Sequence, residues 1–148
     1  MEETKKTPLF SISTAAELLG ISIHTLRMYE KEGLIVPFQK DSKHRLYSRA
    51  DIERIECIRK AISEEKISIE GIKRILALIP CWNIMNCPKD EREKCNAYIE
   101  NKKPCWGYKL KDNMCAELKC NECKVYNTFV DCTTIKDYIK KLEPAETH

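Results

Sequence analysis

The sequence predicts a mainly α protein in two small parts, a helical half interrupted by a short hairpin and an irregular cysteine-rich half closed by a short helix. Three observations lead there. Residues 10–79 carry repeated helix-start signals, each followed by apolar residues at helical spacing. The 148 residues are 33% charged with only 4 glycines, which suits a solvated helical surface better than long sheets. Eight of the 9 cysteines lie between Cys81 and Cys132, immediately after Pro80. A chain of this length has room for one ordinary domain, or for two small ones that each need support beyond a modest apolar core.

Thr14 and Glu17 have capping-box spacing, which predicts a short helix carrying Ala15, Ala16, Leu18 and Leu19 and stopping at Gly20. Ser22 is an N-cap for a second helix from Ile23 to Lys31, with Ile23 and Leu26 turned inward and Gly33 ending it in a left-handed conformation. Residues 34–38 are apolar and partly β-branched, 40–44 are polar and 45–47 return, so a small wing is expected, with Pro37 marking an edge. Ser48 and Asp51 open a longer helix to about Glu65, directing Ile52, Ile55, Ile58 and Ile62 inward. Ser68 caps another, with Ile72, Ile75, Leu76 and Ile79 at i, i+3, i+4 and i+7, and Pro80 cannot continue it.

The expected architecture is a winged helix-turn-helix with two further helices over residues 1–79, a metal- or cluster-supported cysteine-rich segment over 80–132, and a short helix and tail over 133–148. That last helix is placed by Ile135, Tyr138, Ile139 and Leu142 and is a candidate dimer contact.

A helix-turn-helix reads DNA because its second helix fits the major groove while the first braces it across the backbone. Here that second helix offers Ser22, His24, Thr25 and Arg27, all able to donate to phosphates or base edges. Lys40, Lys43, Arg45 and Arg49 follow against a single Asp41, a compact basic segment suited to phosphates although the net charge is only +3. Lys43 falls at the tip of the wing.

The run Thr25-Leu26-Arg27-Met28-Tyr29-Glu30, then Gly33-Leu34-Ile35, Pro37 and Arg45-Leu46-Tyr47, closely resembles the N-terminal signature of the MerR family. The resemblance implies a homodimer on a near-palindromic operator in double-stranded promoter DNA. It also implies that the protein twists and kinks the promoter so that RNA polymerase can engage both promoter elements, a use of DNA deformability as a switch. By the same resemblance His24 and Thr25 are groove-facing, Arg27 and Tyr29 contact the backbone, and Arg45 and Tyr47 are wing contacts. Tyr29 and Tyr47 can equally serve as core aromatics, since a tyrosine often buries its ring while its hydroxyl finds a partner.

The cysteine-rich half contains an internal repeat. Cys81-Trp82 is followed by Cys87, Cys95 and Tyr98, and Cys105-Trp106 by Cys115, Cys120, Cys123 and Tyr126; each unit opens with Cys-Trp and closes with Cys, two residues, Tyr. This is similar to the small two-Cys-Trp modules appended to bacterial signalling proteins, a resemblance of architecture alone. About 50 residues with few aliphatic side chains cannot build an adequate core, so a covalent or metallic support is expected. No histidine lies between Cys81 and Cys132, so a site built from Cys81, Cys87, Cys95, Cys105, Cys115, Cys120, Cys123 and Cys132 would be essentially all-sulfur. That selects zinc, an iron-sulfur cluster or copper(I) over hard cations. Only Cys120 and Cys123 have zinc-knuckle spacing, and irregular gaps suit a cluster as well, so zinc and cluster both stand, beside a reversible thiol switch and disulfides. Cys57, alone on its helix, reads as a small buried side chain.

No stretch reaches the roughly 18 apolar residues of a membrane span, and Glu2, Glu3, Lys5 and Lys6 are unlike a signal peptide, so a cytoplasmic protein is expected. A dithiol oxidoreductase would sit on a βαβ pattern, which is absent, and no His, Ser or carboxylate cluster suggests catalysis. The expectation is a regulator that is not an enzyme.

Overall fold

The structure, a computed structural model, describes residues 7–39, 44–108, 115, 123–128, 136, 140 and 141. Strand β1 (Phe10–Ser11) leads into helices α1 (Ile12–Leu19) and α2 (Ile23–Lys31), then strands β2 (Phe38–Gln39) and β3 (Arg45–Tyr47) and helices α3 (Arg49–Ser63) and α4 (Ile69–Leu76). Beyond Pro80 the elements shorten to single turns: α5 (Cys81–Ile84), α6 (Lys89–Arg92), α7 (Asn96–Ile99), a 3-10 turn (Cys105–Gly107) and α8 (Lys124–Thr128).

The helix boundaries follow local chemistry. Ser22, Ser48 and Ser68 each accept a hydrogen bond from the backbone N–H three residues on, and Ser48 and Asp51 complete a reciprocal capping box. Gly20 and Gly33 adopt φ of 68° and 78°, where a Cβ would be strained, and so reverse the chain at the ends of α1 and α2.

Four features depart from expectation. Helix α1 starts at Ile12, because Ser11 rather than Thr14 caps it, Thr14 N donating to Ser11 Oγ at 3.2 Å. Strand β1 joins the wing on β3, giving an antiparallel sheet of order β1-β3-β2; Phe10 pairs with Tyr47 and Phe38 with Leu46. Only Phe38 and Gln39 of the first expected wing strand pair, while Leu34 and Ile35 turn wholly into the core. Helix α4 ends at Leu76, short of Pro80, and leaves Ile75 40% exposed.

The core begins among Ala15, Ala16, Leu26, Leu34, Tyr47, Ile55 and Ile58 and continues through Ile72, Leu76 and Ile79 to Ile84, Trp106, Val125 and Tyr126 of the cysteine-rich half. Fully burying such side chains contributes about 1.5–3 kcal/mol each, so the two halves share the source of their stability. Lys73 Nζ on α4 donates to Glu32 Oε1 at 2.6 Å, tying the end of α2 to the helix behind it. Among the described residues no helix is long and apolar enough to cross a membrane.

Candidate nucleic-acid interface and cysteine cavity

Helix α2 presents one polar face. Ser22, His24 and Arg27 are exposed and Thr25 half-buried, while Leu26 and Tyr29 point into the core. Ser22 serves first as the cap, its Oγ 3.0 Å from Thr25 N and 2.9 Å from Thr25 Oγ1. Ile23, expected inside, is 37% exposed on this face. Arg45 on β3 donates through Nε to Glu30 Oε2 on α2 at 2.9 Å, fastening the wing to the second helix. Arg27, Glu30, Lys31, His44 and Arg45 line an open cleft of about 620 Å³ between that helix and the wing. Its cations can meet phosphates, and Glu30 holds Arg45 in place for them.

The two tyrosines are buried. Tyr29 is 3% exposed, its hydroxyl 3.5 Å from Arg59 Nη1, and Tyr47 is completely buried, with burial raising its phenol well above the ordinary range. Both are core aromatics in this structure, the alternative that tyrosine chemistry left open. Lys43 lies outside the described residues.

In the second half, Cys81, Cys87, Cys95, Cys105, Cys115 and Cys123 are not disulfide-bonded and line one cavity. Cys120 and Cys132 lie outside the described residues. The backbone brings these thiols together from separate short turns, with Trp82, Trp106, Tyr98, Tyr126 and Met85 filling the wall between them. A hydrogen bond with Cys105 holds the Cys81 thiol below its usual range. Burial raises Cys87 and pushes Cys115 up to about 11, and the charges of Cys123, Cys81, Cys87 and Cys95 add to the effect on Cys115. Several thiolates here therefore repel one another unless a cation joins them. Cys57 departs from expectation: it is half-buried and disulfide-bonded.

The repeat is visible in three dimensions. Trp82 meets Tyr98, and Trp106 meets Tyr126, each pair edge-on at 5.0 Å and 89°. The second pair also grips the helical half. Trp106 Nε1 donates to the Gly33 carbonyl at 2.7 Å, Val36 N–H donates to the Tyr126 hydroxyl at 2.8 Å, and that hydroxyl donates to Asp51 Oδ1 at 3.3 Å. Arg54, 4% exposed, donates to the Tyr126 carbonyl and stacks 3.8 Å from its ring centroid. Gly33 and Gly107 are neighbours across this joint, a Cβ on Gly33 meeting the Gly107 Cα at an ordinary van der Waals distance of 3.9 Å. In the sequence the Cys-Trp repeat marks Trp106 and Tyr126 as members of the cysteine-rich half and carries no sign of this docking.

The fold, the capped second helix and the wing together define a helix-turn-helix domain of the kind that reads DNA. Residues 10–79 match the family described as MerR HTH family regulatory protein, and this segment is a MerR-family helix-turn-helix domain. Over 77 residues the chain is 40% identical to the putative heat shock protein HspR of Streptomyces coelicolor, covering 52% of this chain and 51% of that one. It is 42% identical over 69 residues to the uncharacterized HTH-type transcriptional regulator YyaN of Bacillus subtilis, covering 46% and 49%. A probable heavy metal-dependent transcriptional regulator of Haemophilus influenzae is 41% identical over 69 residues, covering 46% and 53%. The chain thus spans about half the length of the curated relatives it matches.

Proposed function

We propose that this protein is a DNA-binding transcriptional regulator, not an enzyme, that binds promoter DNA as a homodimer. It distorts the duplex so as to control RNA polymerase, and it responds to a metal, a cluster or the redox state of its cysteine-rich half. The DNA-binding part is supported by the MerR-family domain and by the regulators it is similar to. Dimerisation and promoter distortion follow from likeness to that family.

One observation carries the sensing part. Trp106 and Tyr126 wall the cysteine cavity and are also bonded to Gly33, Val36 and Asp51, at the joint between α2, the wing and α3. A change of contents that moves either ring must therefore move, or strain against, the segment that sets the angle between recognition helix and wing. That is what a two-state regulator requires: a local packing change biasing an element with two arrangements. The fit of the cavity to a metal or cluster is chemical, since six soft thiol donors converge on it.

Random duplex DNA selected on the purified protein should converge on a near-palindromic site, with two chains bound per duplex. Arg27→Ala and Arg45→Ala should each weaken binding across sequences and lower the salt dependence by about one phosphate contact. Failure to enrich any site, or unchanged affinity in both variants, would overturn the DNA-binding reading.

A further inference from the structure

The way the six thiols are spread bears on what they hold. They come from six places along the chain, from Cys81 at the start of α5 to Cys123 just before α8, and line one cavity, with Cys81 and Cys105 hydrogen-bonded to each other. That cavity measures about 50 Å³. A single water needs roughly 10–15 Å³ on the same measure, so there is space at the centre for a body of several atoms. Among the described residues, no three Cys, His, Asp or Glu side chains stand close enough together to hold one metal ion.

The size of that space bears on the two cofactors that the thiols alone leave open. Zinc binds four thiolates at about 2.3 Å, which draws the sulfurs to within about 4 Å of one another and leaves no room between them. An iron-sulfur cluster places its own iron and sulfide atoms between the protein thiolates, so its ligands stand apart around a central space. The remaining wall suits it as well. Two tryptophans, two tyrosines and Met85 make the wall largely apolar, and Arg92 is the one cationic side chain on it among the described residues. Thiolates buried there need a cationic partner, which the cluster irons supply.

We propose that the cavity bounded by Cys81, Cys87, Cys95, Cys105, Cys115 and Cys123 is the site of a polynuclear iron-sulfur cluster rather than of a single zinc ion. This rests on the reading that the cysteine-rich half carries a metal centre, and it names the centre. Four of the six thiols suffice for a four-iron or two-iron cluster.

The test is elemental and spectroscopic, on the full chain purified without oxygen. Iron and acid-labile sulfide should appear in equal, multiple amounts per chain, with a broad visible absorption that bleaches on reduction. The metal-free chain, offered iron with sulfide or zinc alone under argon, should recover its thermal stability with the former. Replacing the six cavity cysteines by serine one at a time should lose most of the visible absorption at the four that ligate the cluster, whereas Cys57→Ser, away from the cavity, should keep it. Because a cysteine variant can simply misfold, the reconstitution of the wild-type chain decides. Stoichiometric zinc without iron, or full stability with no metal, overturns the cluster. Operator binding separates the two proposals: a zinc protein whose DNA affinity falls on zinc removal keeps the regulatory reading and loses the cluster, whereas a cluster protein whose operator binding ignores cluster loss does the reverse.

Discussion

The two Cys-Trp units of the cysteine-rich half share a local code and differ in their surroundings. In each, the tryptophan meets the closing tyrosine edge-on at 5.0 Å, and an arginine sits over that tyrosine, Arg92 at 5.8 Å from Tyr98 and Arg54 at 3.8 Å from Tyr126. Yet Tyr98 is 38% exposed and Tyr126 only 2%. The arginine of the first unit comes from within the cysteine-rich half, and that of the second from helix α3 of the DNA-reading half. Both units help to wall the cavity and the first adds Ile84 to the shared core, but the second is also hydrogen-bonded to Gly33 and Val36 of the DNA reader. An internal repeat has thus been put to two uses, and the first unit serves as a control for the second.

The comparison is most exposed to failure at the tryptophans. Trp106→Ala should destabilise the chain by about 3–5 kcal/mol, the cost of truncating a large buried aromatic, and should free the Gly33 carbonyl. Trp82→Ala, at a half-buried ring, should cost roughly 1–2 kcal/mol. Urea unfolding followed by circular dichroism measures both. Equal costs would mean that the second unit is no more tightly joined to the helical half than the first.

A smaller change probes the joint alone. Tyr126→Phe keeps the ring but removes the acceptor for Val36 N–H and the donor to Asp51, leaving buried polar groups unpaired at about 1–3 kcal/mol. Tyr98→Phe should fall within about 0.5 kcal/mol of the native chain. On DNA, Tyr126→Phe should change operator affinity or its response to metal removal and Tyr98→Phe should not; matched responses from the two would break the proposed link.

Much of the DNA-reading half was legible in the sequence because its signals are local. Ser22, Ser48 and Ser68 are caps wherever an apolar-periodic run follows them, and Gly20 and Gly33 stop helices through their own backbone freedom. Thr14 misled because its spacing to Glu17 suits a capping box, while Ser11 lies one turn earlier and accepts the Thr14 N–H. Strand β1 was invisible, since two residues carry no period and their partner lies 36 residues or so further on. The docking of the second Cys-Trp unit was hidden for another reason. Two of its partners on the helical half, the Gly33 carbonyl and the Val36 N–H, are backbone groups that no side-chain pattern marks, and a third, Asp51, is already accounted for in the sequence by the Ser48 cap. The convergence of six thiols was foreshadowed by composition, but their spacing around a shared cavity depends on how six short turns pack.

The finest difference between the units is electrostatic. Asp51 faces the Ser48 backbone N–H and hydroxyl, the Arg54 guanidinium and the Tyr126 hydroxyl, and desolvation nevertheless raises its carboxyl above the ordinary 3.8. Above that value the folded chain retains a proton that the unfolded chain has released. The contribution of Asp51 to stability is therefore complete below 3.8 and is lost as pH rises through the raised value. Asp51→Asn should flatten that part of the profile of melting temperature against pH. The Tyr126 hydroxyl favours the ionised carboxylate, so Tyr126→Phe should raise Asp51 further and move the loss to higher pH, whereas Tyr98→Phe should reproduce the native profile. Parallel profiles for all three variants and the native chain would show that Asp51 does not titrate within the joint, leaving packing alone to distinguish the second unit from the first.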